Sequence, residues 1–284
     1  MKIFHTISET RAWLDEQKAA GKSSGFVPTM GALHRGHTEL IRRSVSENDI
    51  TGCSIFVNPI QFNNPEDLEK YPRTLETDVA MLEEAGCDLV FVPSVKEMYP
   101  EPVTEKYHFG PLEQVMEGAH RPGHFNGVAV VVKKLFDIFQ PDRAYFGEKD
   151  YQQLAIIRAL VKMKNIPVGI VPCPTVREAD GLAMSSRNRR LTPEERAIAP
   201  EIYRTLDLAA DLAGIKSVAE VKQLACDRLT EKGFVVDYFE FSDAVTLQPV
   251  DAWDQAPEII GCVAAFLGNV RLIDNLILFR NFAG

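Results

Sequence analysis

His34 and His37 lie in a glycine-containing turn, Pro28-Thr29-Met30-Gly31-Ala32-Leu33-His34-Arg35-Gly36-His37, between a short apolar run and an amphipathic helical stretch. This combination suits a phosphate. The first N–H groups of a helix have no partner within it, and the aligned peptide dipoles leave that end partly positive. Glycine lets backbone approach a ligand closely, and imidazole N–H groups on one turn can reach the same anion. Taken singly, each histidine also reads as an ordinary polar residue of a surface loop.

Three further polar clusters follow apolar runs. After Phe56-Val57 come Asn58, Pro59, Ile60 and Gln61. The Gln61 amide both donates and accepts, which suits a small acid bearing a hydroxyl, while Asn58 either shapes the loop or touches the substrate; turn chemistry is the alternative. In Phe146-Gly147-Glu148-Lys149-Asp150, Lys149 offers a compact positive charge to phosphates, with a solvated charge run as the alternative. In the stretch from Val176 through Gly181 to Met184, Ser185, Ser186 and Arg187, hydroxyls and a forked guanidinium suit phosphate oxygens; otherwise it is a polar linker.

The elements that must position these groups follow from periodicity. Apolar runs at 25–27, 53–57, 89–92, 144–146 and 168–171 alternate with helical patterns at 37–48, 75–85, 128–139 and 154–163. That alternation predicts a Rossmann-like α/β fold: a mostly parallel, five-stranded sheet with helices on both faces and ligands beyond the carboxyl ends of its strands. Near Pro172-Cys173-Pro174 the pattern changes. Thr192, Pro193 and Glu195 form a helix start, opening helices at 193–213 and 218–232 and strands at 235–241, 259–267 and 270–278, with a tight turn at Gly268-Asn269. The expected division is 1–175, binding nucleotide and acid, and 176–284, a smaller α+β lid.

Composition narrows the partners. With 284 residues, 45% of them hydrophobic, the chain buries a sizeable core; its net charge of −9 argues against nucleic acid and anionic membrane as partners and for small molecules. Five dispersed cysteines match no metal knuckle or redox pair, and read as buried thiols of a reducing compartment. No cleavable leader or membrane-spanning run is evident, so the expected location is cytoplasmic.

The histidine segment resembles the His-x-Gly-His signature of nucleotidylyltransferases related to class I aminoacyl-tRNA synthetases. The blocks PTMGALHRGH, SIFVNPIQF, YPRT, RPGHFNGV, FGEKDYQQL and DGLAMSSRN, in this order, resemble the pantothenate synthetase (pantoate–β-alanine ligase) family over nearly the whole chain, with Ile60 where that family usually has methionine. The resemblance implies ATP-dependent condensation of pantoate with β-alanine to pantothenate, AMP and pyrophosphate through a pantoyl adenylate, in coenzyme A biosynthesis, with Mg2+ accompanying ATP and the protein a homodimer.

It further implies an ATP loop of Met30, Gly31, Ala32, Leu33, His34, Arg35, Gly36 and His37, with His37 the family's assigned proton donor and His34 its companion. Gly147, Glu148, Lys149 and Asp150 form a second ATP stretch, Val176 an adenine-side contact, and Met184, Ser185, Ser186 and Arg187 a closing loop. Gln61 and Gln153 hold pantoate, and Gln61 also lies by β-alanine. Val128, Val131 and Val132 either face pantoate's methyl groups or pack as ordinary helix core. Metal ligands stay unassigned, Asp78 being a magnesium-side carboxylate on resemblance alone, and Arg121 and His124 are read as surface loop. The rivals are an adenylyltransferase with a phosphorylated acceptor, disfavoured by the neutral amides of Gln61 and Gln153, a tRNA synthetase, and a nucleotide-binding regulator without turnover.

Overall fold

Unbroken apolar runs, as opposed to alternating ones, mark strands covered on both faces. The computed structural model, which describes residues 1–63 and 65–281, shows such strands: Phe26, Val27, Leu89, Val90, Phe91, Ala144 and Tyr145 are all buried. The chain divides into two compact units. The first comprises Met1–Phe109, Arg121–Glu148 and Gln153–Pro174, and the second Gly110–His120, Lys149–Gln152 and Thr175–Gly284.

In the first unit β1 (Lys2–Phe4), β2 (Ser24–Thr29), β3 (Ile50–Ile55), β4 (Leu89–Phe91), β5 (Arg143–Gly147) and β6 (Gly169–Cys173) form one sheet in the order β1-β4-β3-β2-β5-β6. Every pairing is parallel. The sheet therefore has six strands, where the sequence pattern predicts five. The extra one is a three-residue edge strand whose Lys2 and Ile3 are exposed, so it leaves no buried apolar run. Strand β3 begins earlier than its apolar run because Thr51 and Ser54 are buried there, and Thr51 satisfies its hydroxyl against Ser44 at 2.8 Å.

Successive strand residues point to opposite faces, and helices cover both. Val27, Cys53 and Val90 pack with Leu40 and Ile41 of α2 (Arg35–Glu47) and Leu82 of α4 (Leu75–Glu84). Phe26 stacks on Phe139 of α7 (His124–Phe139) at 3.9 Å between ring centroids, and Phe91 meets the same ring edge-on. Helix α1 (Ile7–Ala19), capped by Thr6, and α8 (Tyr151–Lys164) complete the main layer; α3 (Pro65–Glu69), α5 (Val95–Met98) and, in the second unit, α6 (Met116–His120) are short turns of helix.

The second unit is an α+β layer. Strands β7 (Val235–Asp243), β8 (Glu258–Leu267) and β9 (Val270–Arg280) pair antiparallel in that order, and Gly268-Asn269 makes the predicted tight turn, with Leu267 opposite Val270. After α9 (Pro193–Ile198), helices α10 (Glu201–Leu212) and α11 (Val218–Glu231) bury Ile202, Leu206, Val221 and Leu229 against Phe239, Phe241 and Val263. The predicted helix 193–213 is two helices. It breaks at Pro200, which lacks the N–H an interior helical residue donates. Thr192 and Glu195 form the expected capping box.

All five cysteines are free, and only Cys226 is not fully buried. Burial pushes the thiols up, Cys87 and Cys262 to about 12. A charged alkylating reagent at neutral pH should therefore label the folded protein at Cys226 first, with the other four labelled only after denaturation, as mass spectrometry would report. Among the described residues no helix is long and apolar enough to cross a membrane.

Candidate active site

The chain leaves β2 toward β3 and β4 on one side of the sheet, and β5 leads to β6 on the other. The strand order thus reverses between β2 and β5, and ligands of doubly wound sheets bind beyond the carboxyl ends of the strands flanking such a reversal. The residues following β2 are Met30 to His34, and β5 ends at Gly147. Two of the sequence-predicted motifs therefore meet the position that topology favours.

The loop after β2 is held by Asp78, which sequence resemblance alone offers as a magnesium-side carboxylate. Gly31 has φ 80° and Ala32 φ 50°, a left-handed pair that alanine adopts only under constraint. The constraint is Asp78, 1% exposed on α4, whose carboxylate accepts from Ala32 N at 2.9 Å, Leu33 N at 2.8 Å and Thr74 Oγ1 at 3.1 Å. Ala32 and Leu33 are accordingly turned inward, fully buried, and shape the loop. Asp78 is a loop anchor, a role the sequence did not reveal. The signal available was a carboxylate four residues before buried Leu82 on the apolar side of a helix.

The two histidines cap α2 reciprocally. His34 Nδ1 accepts from Gly36 N at 3.1 Å, and His37 Nδ1 accepts from His34 N at 3.3 Å, with the rings 4.1 Å apart between centroids. A neutral imidazole that accepts at Nδ1 carries its proton on Nε2. Each ring thus has a fixed tautomer whose donor is Nε2–H. The Gly36 amide, one of the helix-end donors expected to face an anion, is occupied by this cap. Arg35 is exposed, while Gly36 is half-buried.

Met30 turns toward the second cluster: its sulfur lies 3.1 Å from Gln61 Nε2. Gln61 ends the 3-10 turn Pro59–Gln61 and is 8% exposed; Asn58, 1% exposed, donates to Gln61 Oε1 at 3.0 Å and to Gly127 O at 3.1 Å. His124, read from sequence as surface loop, is buried at the start of α7 and donates from Nδ1 to Gln61 O at 2.9 Å, since a carbonyl can only accept. Gly127 is required by this packing. A Cβ there would lie 2.5 Å from Ile60 O, so only glycine lets α7 approach the turn. Gln152 is committed to Leu112 O, Val115 O and Glu117 N, whereas Gln153, half-buried one residue on, enters none of these bonds. Val128, Val131 and Val132 are all buried in α7.

In the second unit Lys149, Ser185 and Arg187 line one solvent-open cleft of about 280 Å³ with Ala183, Asn188 and Arg271. Lys149 is anchored through its main chain: Asn275 Nδ2 donates to Lys149 O at 2.8 Å, and Asn275 N to Asp274 Oδ1 at 2.8 Å. Buried Asp274 pairs with both arms of Arg177 at 2.6 and 3.0 Å, and Arg177 stacks over Tyr203 at 4.0 Å from the ring centroid. Asp274 and Asn275 were not singled out in the sequence, although two polar residues inside the apolar strand β9 are the kind of interruption that marks such a role. Ser185 caps the 3-10 turn Ser186–Arg190 by accepting from Arg187 N, and Met184 N donates to Val176 O at 2.9 Å. Glu148 is half-buried, whereas Asp150 is exposed and lies 3.8 Å from the Lys149 ammonium.

A family model described as pantoate-beta-alanine ligase matches residues 2–277. The chain is 53% identical over 277 residues to a pantothenate synthetase of Bacteroides fragilis (strain YCH46), covering 97% of this chain and 98% of that protein. Its fold superposes with TM-score 0.92 and 48% identity on a crystal structure of pantothenate synthetase from Thermus thermophilus, covering 98% of this chain and 100% of that one. A pantoate-beta-alanine ligase of Francisella tularensis, crystallised with beta-gamma ATP and beta-alanine, matches with TM-score 0.81 and 37% identity over 98% and 97% of the two chains.

Proposed function

The chain belongs to the pantoate–β-alanine ligase family, and from that premise we propose how its own residues make the amide. The enzyme condenses pantoate with β-alanine in an ATP-dependent reaction of pantothenate biosynthesis. A carboxylate is too poor an acyl donor to be attacked directly. A pantoate carboxylate oxygen therefore attacks the α-phosphorus of ATP and expels pyrophosphate; the amine of β-alanine then attacks the acyl carbon, the acyl–oxygen bond breaks, and AMP leaves.

Neither step needs a side-chain nucleophile. What the protein supplies is alignment and charge stabilisation. His34 and His37 donate from Nε2 to phosphate oxygens, with Gly31, Arg35 and Gly36 completing the loop around them. Pyrophosphate leaves without requiring a proton, so a stabilising hydrogen bond describes the work of His37 better than obligate proton transfer. Lys149, between Gly147, Glu148 and Asp150, places positive charge on the phosphates, joined by Ser185, Ser186 and Arg187; Val176 and Met184 lie on the adenine side. Gln61 and Gln153 hold pantoate. The observation that carries this reading is the Met30 sulfur against the Gln61 amide, which links the nucleotide loop to the acid-binding turn.

Magnesium enters with the nucleotide. Asp78 has both carboxylate oxygens engaged by the loop, and among the described residues no group of three or more His, Cys, Asp or Glu could hold a metal. This donor set fits an ion carried on the ATP phosphates and waters, as magnesium commonly is, and no step is assigned to a protein-held metal. A cytoplasmic location and a homodimer belong to the same proposal.

Purified protein supplied with ATP, pantoate and β-alanine should form amide and AMP only when both acids are present. Turnover that requires a phosphorylated acceptor would replace this reading with the rival adenylyltransferase, and ATP binding without pantoate-dependent pyrophosphate release would replace it with the regulator.

A further inference from the structure

A side-chain amide can present either its oxygen or its nitrogen to a ligand, and the two choices recognise opposite chemistry. In Gln61 the choice is settled at a distance. Gly127 O, a main-chain carbonyl, can only accept, so the Asn58 atom 3.1 Å away is its Nδ2 donor. That nitrogen also lies 3.0 Å from the Gln61 amide, so the Gln61 atom facing it is the acceptor Oε1. The remaining Gln61 atom is then Nε2, with one N–H on the Met30 sulfur. At the other end Asn58 Oδ1 accepts from Tyr99 OH at 2.9 Å, and burial pushes the Tyr99 phenol up, keeping it a donor.

We propose that Gly127, Asn58 and Tyr99 form a polarity relay that makes Gln61 solely a hydrogen-bond donor toward the acid substrate. Gln61 thereby recognises acceptor atoms, the carboxylate or a hydroxyl lone pair, and does not accept a hydroxyl proton. Asn58 and Tyr99 are positioning residues acting through Gln61. The relay lies wholly within the first unit. Its backbone end requires α7 to approach the 59–61 turn closely, which is why position 127 carries no Cβ. This inference rests on the proposal that Gln61 contacts pantoate.

Steady-state KM values for pantoate and ATP across four variants test the two statements separately. Gln61→Ala should raise the pantoate KM roughly tenfold or more while leaving that of ATP near wild type; an unchanged pantoate KM would remove Gln61 from the acid site. Gln61→Glu keeps the shape and still accepts from Asn58, but offers the substrate a second acceptor bearing charge. Its pantoate KM should exceed that of Gln61→Ala. A Glu variant that binds pantoate better than the Ala variant would show that position 61 works as an acceptor, overturning the relay while sparing the contact. Tyr99→Phe should raise the pantoate KM by roughly threefold to tenfold with the ATP KM unmoved, and a wild-type pantoate KM would exclude Tyr99 from the relay. Asn58→Asp, which can no longer donate, should turn the Gln61 nitrogen inward and reproduce the Gln61→Ala defect; full retention of pantoate affinity in a folded Asp variant would contradict the relay.

Discussion

Lys149→Ala should lower the rate of pantoate-dependent pyrophosphate release by roughly a hundredfold or more, a loss of about 3 kcal/mol in transition-state stabilisation typical of removing one preorganised electrostatic group. The negative charge passed to the leaving pyrophosphate is what the ammonium meets, so the defect belongs in the adenylation step. The fold should be unaffected, because Lys149 is tied into its unit by its carbonyl, which Asn275 holds and which alanine retains. Loss of the 3.8 Å pairing with Asp150, itself 50% exposed, removes a surface contact of little weight. A variant with wild-type pyrophosphate release would take Lys149 out of the chemistry. Thermal melting separates a catalytic loss from a folding loss.

Asp78→Ala should fail in a different way. Removing the carboxylate leaves the Ala32 and Leu33 N–H groups buried without their acceptor, at a cost of about 1–3 kcal/mol for each orphaned group, so the melting temperature falls. With the anchor gone, the left-handed pair at Gly31 and Ala32 keeps only the Gly31 N bond to Thr29 Oγ1, the histidine cap shifts, and the ATP KM rises together with the loss of stability. Asp78→Asn should rescue little, because its amide can offer only one acceptor atom where the carboxylate offers two. If Asp78→Ala melted and bound ATP as wild type does, the loop would be held by something other than this carboxylate.

These two residues show how far the sequence could be read. Lys149 stood out as a candidate because it follows Gly147 at the end of a buried strand, although a solvated charge run reads the same way in sequence. Asp78 did not, because its partners lie more than forty positions away in the chain and only the folded loop turns their amides toward it. Strands β2 to β6 were written as apolar runs, whereas β1 was hidden by its exposure at the sheet edge. Pro200 divided a helix whose apolar stripe continues through it.

Long-range hydrogen bonds escaped most completely. Segments 110–120 and 149–152 belong to the second unit because Gln152 bonds to Leu112 and Val115, Tyr151 to Ala244 O, and Asn275 to Lys149 O. None of these leaves a periodicity for a linear reading to find. The polarity of Gln61 was equally hidden: the sequence shows an amide that donates and accepts, and only the carbonyl of Gly127 and the orientation of Asn58 decide between the two.

The central claim is that pantoate is activated by joining its carboxylate oxygen to the α-phosphorus of ATP. Pantoate labelled with 18O in its carboxylate, turned over with ATP and β-alanine and followed by mass spectrometry, tests it directly. The label should appear in AMP, one atom per amide formed, with none in pyrophosphate. AMP free of label, or label recovered in inorganic phosphate alongside ADP, would mean that the acid is activated by another route and that the site described here performs different chemistry.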